Sequence, residues 1–324
     1  MPRSDSRPRV PGNSGVSAAI EELSLTPVLF SRFQKLIYNE CGIWLGPQKQ
    51  ALLTSRLARR LRLLGLSTMS EYFRLVSQPD QQHERSVMLD CITTNETHFF
   101  REPRHFDYLA QEVIPRWKQE AEAGKRIRHL NVWCAGCSSG EEPYSLAMLF
   151  LKHLPVESGW FPQILASDIS TRVLEKAREA TFPIEKAQEI PKDYLRKYML
   201  KGTKESSGAM RVVPDLQKIV RFARINLFSD TYPIQGTFDL IFCRNVLIYF
   251  DDRSKEKVVA GLVRHLSPSG LLFVGHSEHL HGISRELRLI APTVYGLKTN
   301  STLYTNNSRL TARAEVNFNN LGMF

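Results

Sequence analysis

Apolar positions in the first third of the chain recur at helical spacing. The windows "PVLFSRFQKLIYNECG", "PQKQALLTSRLARRLRLLG", "TMSEYFRLVSQ" and "HERSVMLDCIT" each predict a helix, with Gly42, Gly46, Gly65 and Pro79 as stops and turns. In the second window Leu53, Leu57, Leu61 and Leu64 share one stripe, while Lys49, Arg56, Arg59, Arg60 and Arg62 spread over the remainder. From about 127 the rhythm becomes strand–helix alternation. "IRHLNVWCAG", "QILASDIS", "IVRFARINL", "FDLIFCRNVL" and "GLLFVGHS" read as strands, and "EEPYSLAMLFLKHL", "TRVLEKAREA" and "DRSKEKVVAGLVRHL" as helices. Such alternation predicts a parallel sheet covered by helices. It breaks at about 190–224, which reads as a small antiparallel insertion. The stretch 94–101, "TNETHFFR", fits neither period.

Composition narrows the class. Hydrophobic content of 42% and charged content of 23% are those of a globular chain, and no apolar run is long enough to span a membrane. The opening residues lack the apolar core of a secretory signal, which makes the cytoplasm the expected compartment. Residues 1–24 and 301–324 read as tails, the first disordered. Five cysteines, an odd number in apolar surroundings, predict reduced thiols. The net charge of +10 favours an acidic partner, and no acid interrupts the five cations around the second helix.

In an open α/β sheet, ligands sit beyond the carboxyl ends of the strands. There the first strand runs into "CAGCSSGEEPYS", where Gly136 and Gly140 permit a tight turn. The spacing is not G-x-G-x-x-G, and Glu141 and Glu142 would repel a pyrophosphate. A cationic ligand end suits them, and S-adenosylmethionine (SAM) has an ammonium, a sulfonium and no phosphate. Asp168 stands where an acid can accept from a ribose diol, or can cap the next helix. Asn226 and Leu227 end the third strand, and Arg244, Asn245 and Tyr249 follow the fourth. The Cys134–Cys137 pair lacks a second pair at zinc spacing. His276, His279 and His281 lack a ligand pattern, so no metal is expected.

"TNETHFFR", "GCSSGEEPYS", "SDIS", the Asn226–Leu227 pair, "CRNVLIYF" and "GHSE" occur in the order seen in bacterial chemotaxis receptor methyltransferases, which the chain resembles over about 25–300. The resemblance to this CheR family implies an all-α N-terminal domain (25–100). After it would come a Rossmann-like SAM-dependent methyltransferase domain (101–300) carrying the β insertion. It implies methylation of glutamate side chains on methyl-accepting chemotaxis receptors, with S-adenosylhomocysteine as product. Cofactor contacts are implied for Asn95, Thr97, Arg101, Glu141, Asp168, Asn226, Leu227, Arg244 and Asn245. Arg101 and Tyr249 are the expected catalytic residues, orienting the substrate carboxylate. Lys49, Arg56, Arg59, Arg60 and Arg62 are the expected docking surface for an acidic receptor. The protein is then expected to be a monomer, recruited to membrane receptor arrays without membrane insertion or nucleic acid. A strand-four motif for methylating base amines is absent. Some members tether to a receptor peptide through a Gly-x-Gly in the insertion; "KGTKESSG" has Lys204 at the second glycine, which favours direct docking.

Overall fold

The computed structural model describes residues 25–298, so both expected tails lie outside the described residues. These residues form two compact units. One comprises Leu45–Ile92 with the described residues up to Ile37; the other comprises Tyr38–Trp44 and the described residues from Thr93 onward. The division falls ahead of the expected boundary at 100, because the 93–101 segment bonds to the second unit, as described below.

The expected helices form: α1 (Pro27–Cys41), α2 (Gln50–Leu64), α3 (Met69–Val76) and α4 (Gln82–Ile92). Helix α3 starts on a capping box, Thr68 accepting from the Glu71 N–H while Glu71 accepts from the Thr68 N–H. Leu53, Leu57 and Leu61 are buried as the stripe requires, but Leu64, in the last turn before Gly65, is exposed. Phe33 packs edge-on against Phe73 at 4.9 Å, and the Arg32 guanidinium covers the Phe73 ring.

Two of the five cations around α2 are turned inward. Arg60 pairs with the buried Glu84, its Nε 2.9 Å from Oε1, and the Tyr72 hydroxyl donates to the same oxygen at 2.9 Å. Arg56 donates to the Ile92 carbonyl. Lys49, Arg59 and Arg62 are exposed. Of the five cations expected to form a docking face, Arg56 and Arg60 therefore hold helices together.

The second unit is built on a seven-stranded sheet. Strands β1 (His129–Ala135), β2 (Phe161–Asp168), β6 (Val220–Arg224), β7 (Phe238–Cys243) and β8 (Leu266–Val274) are parallel. An antiparallel hairpin that the sequence reading missed, β9 (Leu287–Ala291) and β10 (Val294–Leu297), completes the edge. The resulting order is β6-β2-β1-β7-β8-β10-β9. Side chains alternate between two apolar layers. Val132, Cys134, Leu240 and Phe242 enter one, and Trp133, Ala135, Ile241 and Cys243 the other. Helices α5 (Pro103–Tyr108), α6 (Ile114–Glu122) and α7 (Glu141–His153) contribute to the first layer; α11 (Asp252–Arg264) contributes to the second. Helix α8 (Thr171–Glu179) follows β2.

The inserted sheet starts earlier than expected. Strand β3 (Thr181–Pro183) pairs with β5 (Ala209–Val212), which pairs with β4 (Met199–Lys201), all antiparallel. Between these lie α9 (Lys192–Tyr198) and, after β5, α10 (Pro214–Ile219), while Val220–Arg224 belongs to the main sheet. The insertion thus contains helices that its short β-like runs concealed. All five cysteines carry reduced thiols, and Cys91 is half-buried while the rest are buried. No described helix is long and apolar enough to cross a membrane.

Burial alone would raise the Glu84 carboxyl, and Arg60 and Tyr72 outweigh it, holding it below the ordinary carboxylate range. A lowered pKa means stability that is complete above the unfolded value and lost as pH falls through the folded one. Glu84→Gln is expected to cost about 3 kcal/mol at pH 7. In urea titrations the gap between the Glu84→Gln variant and wild type should narrow below pH of about 4; a gap that does not change with pH would refute the ion pair's role.

Candidate active site

Strand order reverses direction between β1 and β7, which leaves a crevice beyond their carboxyl ends. The β1–α7 loop crosses it. Gly136 has φ +87° and Gly140 φ +99°. A Cβ on Gly136 would lie 2.4 Å from Val246 Cγ2, so the loop is closed to side chains there. The main chain is held by Ser167, whose carbonyl accepts from the Gly136 and Cys137 N–H groups at 2.8 and 2.9 Å.

Asp168 staples this loop to β2. One carboxylate oxygen accepts from the Ser138 N–H at 2.9 Å, the other from the Ser170 N–H at 3.0 Å. Capping of α8 falls to Ser170, whose hydroxyl accepts from Val173, and not to Asp168.

The adjacent acids Glu141 and Glu142 have different partners. Glu141, 1% exposed, accepts from Lys186 Nζ at 2.6 Å and from the Ser139 hydroxyl at 2.7 Å. Glu142 accepts from Arg244 Nη1 at 2.9 Å. Each carboxylate thus carries its own cation, which weakens the expected repulsion of a pyrophosphate; the non-dinucleotide spacing of the loop remains. Burial pushes the Glu142 carboxyl up, against the pull of Arg244.

Arg244 is the centre of a buried network. Its guanidinium meets Glu142, Glu102 Oε2 at 2.9 Å from Nη2, and the Arg101 carbonyl. Its Nε, Nη1 and Nη2 all donate within the protein. Glu102 also accepts from the His276 N–H at 3.1 Å and the Asn245 amide at 3.4 Å through its second oxygen. Burial alone would raise Glu102, but Arg244 and the His276 N–H outweigh it and hold its carboxyl below the usual range. Asn245 has φ +59°, and its N–H, with those of Gly275 and Ile248, donates to Glu278 at 2.8, 2.6 and 3.2 Å. Burial nonetheless outweighs these bonds and pushes Glu278 up.

The 93–101 segment is anchored along its length. The Asn95 carbonyl accepts from the Ser138 hydroxyl, and that of Thr97 from Lys186. The Phe99 N–H donates to Glu189 and that of Phe100 to Ser145. Phe99 stands edge-on to Phe182 at 4.8 Å, and Phe100 packs on Phe106 and Tyr194. Arg101 is half-buried, its Nη1 3.0 Å from the Glu96 carbonyl.

Three expected residues lie farther along the rim. The Asn226 side chain is occupied at both ends, donating to the Glu40 carbonyl and accepting from the Phe228 N–H. Leu227 is buried, its carbonyl accepting from the Tyr232 hydroxyl. Tyr249 sits in a 3-10 turn; its carbonyl accepts from the Trp44 N–H, and the Ile43–Phe250 bridge continues that pairing.

Sequence reasoning missed Glu102, Glu278 and Lys186. Glu102 directly follows the quoted motif and Glu278 lies within "GHSE", so two had a signal; a lone lysine in the insertion had none. Glu102, His105 and His276 also bring a carboxylate and two imidazoles together. Burial, with Arg244 nearby, lowers the His105 imidazole to about 4. A cation on Glu102 Oε2 would stand against the Arg244 guanidinium that already occupies this oxygen, an unfavourable like-charge arrangement. Cys134 and Cys137, both buried, have thiols pushed up by burial, unlike reactive cysteines.

Comparison with known proteins covers both units. The family described as "CheR methyltransferase, all-alpha domain" matches residues 29–93, and "CheR methyltransferase, SAM binding domain" matches 95–295. The chain is 39% identical over 277 residues to the chemotaxis protein methyltransferase of Escherichia coli (strain K12), covering 86% of this chain and 93% of that one. It is 38% identical to chemotaxis protein methyltransferase 2 of Pseudomonas aeruginosa, over 85% and 95% of the two chains. It is 34% identical to the chemotaxis protein methyltransferase of Borreliella burgdorferi, over 84% and 95%.

Removing one partner of a buried charge network leaves the others uncompensated. Arg244→Met is expected to lower unfolding free energy by about 3–5 kcal/mol. Adding Glu142→Gln should recover part of that loss; denaturant titrations with no recovery would show the two groups uncoupled.

Proposed function

Because the chain belongs to the CheR methyltransferase family, we propose that it transfers the methyl group of SAM to glutamate side chains of methyl-accepting chemotaxis receptors, forming γ-methyl esters in sensory adaptation. The observation that carries this is the convergence of the family's motif residues on one end of the sheet. Glu141, Asp168, Arg244 and Asn245 stand at or beyond the ends of β1, β2 and β7; the Asn95 carbonyl bonds to the β1–α7 loop through Ser138, and the Thr97 carbonyl accepts from Lys186, which also pairs with Glu141.

The residues present fit the cofactor. Gly136 lets the loop pack closely on Val246 where a Cβ would clash, Asp168 offers carboxylate oxygens at the β2 end, and Glu141 offers a carboxylate to an ammonium. Glu141 suits that contact better than Glu142, whose carboxylate is committed to Arg244. SAM brings a methyl group already activated by its sulfonium. A substrate glutamate with a pKa of about 4.3 is ionised at neutral pH and already nucleophilic. The protein therefore needs no general base; it must align the carboxylate and exclude water, which can contribute about 7–11 kcal/mol. Arg101 and Tyr249 orient that carboxylate, while Arg244 fixes the wall behind them. Asn226 and Leu227 complete the rim.

Receptor recognition falls to the exposed cations Lys49, Arg59 and Arg62 of the helical unit, which would attract an acidic receptor surface. In the same reading the protein is a cytoplasmic monomer that acts at receptor arrays and takes no nucleic acid and no metal.

Incubation of receptor-containing membranes with methyl-tritiated SAM should yield a label that base releases as methanol; absence of a base-labile label would sink the proposal. Arg101→Ala and Tyr249→Phe should each lower kcat by about a hundredfold with both substrates saturating. Values near wild type would remove them from the orienting role. Arg59→Glu with Arg62→Glu should slow receptor methylation at low salt and leave S-adenosylhomocysteine affinity unchanged, as measured by calorimetry.

A further inference from the structure

Lys186 lies in the short helical turn Ile184–Glu189, which follows the first strand of the inserted sheet. Its ammonium bridges Glu141 Oε1 at 2.6 Å and the Thr97 carbonyl at 3.1 Å. The Glu141 side chain is 2% exposed and that of Lys186 27% exposed. The acid is therefore sunk in the protein, and the lysine stands over it with a path to solvent. The two groups come from different segments, the insertion and the β1–α7 loop, and Thr97 brings in a third. Glu141 has a second support in the Ser139 hydroxyl.

An α-amino acid end carries an ammonium and a carboxylate on one carbon. Its complement is an acid and a base in contact, each able to turn toward the opposite charge. Glu141 alone would attract the ammonium and repel the adjacent carboxylate. Lysine has three donors on a flexible stem, so it can leave one acceptor and keep another while its ammonium swings.

We propose that Lys186 and Glu141 form a zwitterion clamp, in which Lys186 binds the α-carboxylate of SAM while Glu141 binds its α-ammonium. The lysine occupies the ammonium's place on Glu141 until the ligand arrives, and then shifts to the carboxylate. This makes the insertion a supplier of cofactor specificity. The inference rests on the cofactor reading above.

The probes are S-adenosylhomocysteine, which has the zwitterionic end, and 5′-methylthioadenosine, which lacks it. Calorimetry on the full chain should show Lys186→Met weakening S-adenosylhomocysteine roughly tenfold or more, the size of a charge-assisted hydrogen bond, with methylthioadenosine unchanged. Lys186→Arg should restore most of the difference. Unchanged or tighter S-adenosylhomocysteine binding by Lys186→Met would overturn the clamp, the second result showing the lysine to be a competitor. Equal weakening of both probes would also overturn it, because the lysine would then be a prop for the whole pocket. Failure of the unaltered protein to bind either probe would instead refute the cofactor reading itself.

Discussion

Burial of the Arg244 guanidinium is the constraint on which the candidate site depends. Its side chain is 1% exposed, and a charge so removed from water must be met by acids and carbonyls. Those that meet it come from distant places: Arg101 and Glu102 from the 93–101 segment and its successor, Glu142 from the start of α7. Glu102 then passes the connection to Asn245 and to the His276 main chain beyond β8, where Glu278 takes over. One guanidinium thereby ties together the ends of two strands, a helix start and an irregular strap. A buried ion pair of this kind is weak evidence for extra stability, since hydrophobic replacements often do as well. Its contribution here is one of geometry: the loops cannot shift without stranding a charge.

This network also explains how two neighbouring glutamates divide their work. Consecutive residues on a helix point about 100° apart. With Glu142 directed at Arg244, Glu141 is turned away from it, toward Ser139 and Lys186. Two adjacent acids are thus not one doubly negative patch. Glu142 meets an internal cation, and the buried Glu141 meets the more exposed Lys186.

Local patterns carried the sequence reading far. Five parallel strands were legible because a strand buried on both faces is a nearly continuous apolar run, as "FDLIFC" and "LLFV" are. The hairpin over 287–297 was not, since "LRLIA" has exposed Arg288, Leu289 and Ile290 and the pattern does not alternate. The three-residue strand Thr181–Pro183 exists only through its pairing with Ala209–Val212, a relation that no local window contains. Charges show the same limit. Arg56, Arg59, Arg60 and Arg62 look alike along α2, and only Glu84 and the Ile92 carbonyl, both on α4, distinguish the inward pair from the outward pair. The motif residues at the strand ends were legible, but the partners Glu102, Glu278 and Lys186 act through contacts made by the fold.

The backbone at the site adds a last link between geometry and chemistry. Phe100, Glu102, Ser138 and Asn245 all have φ between +50° and +59°, a region that costs a residue with a Cβ about 1–3 kcal/mol. Such conformations persist only where their surroundings over-determine them. Each of the four has that support: Phe100 through Ser145 and its ring contacts, Glu102 through Arg244, Ser138 through Asp168, and Asn245 through Glu278. The strained residues flank Arg101, floor the glycine loop and follow Arg244. If methyl transfer to a carboxylate needs alignment more than acid–base chemistry, rigid placement of these segments before any ligand binds is what the site must supply. The charge of the network and the strain it restrains are then two sides of one device: buried ion pairs hold the main chain where relaxed dihedrals would not leave it.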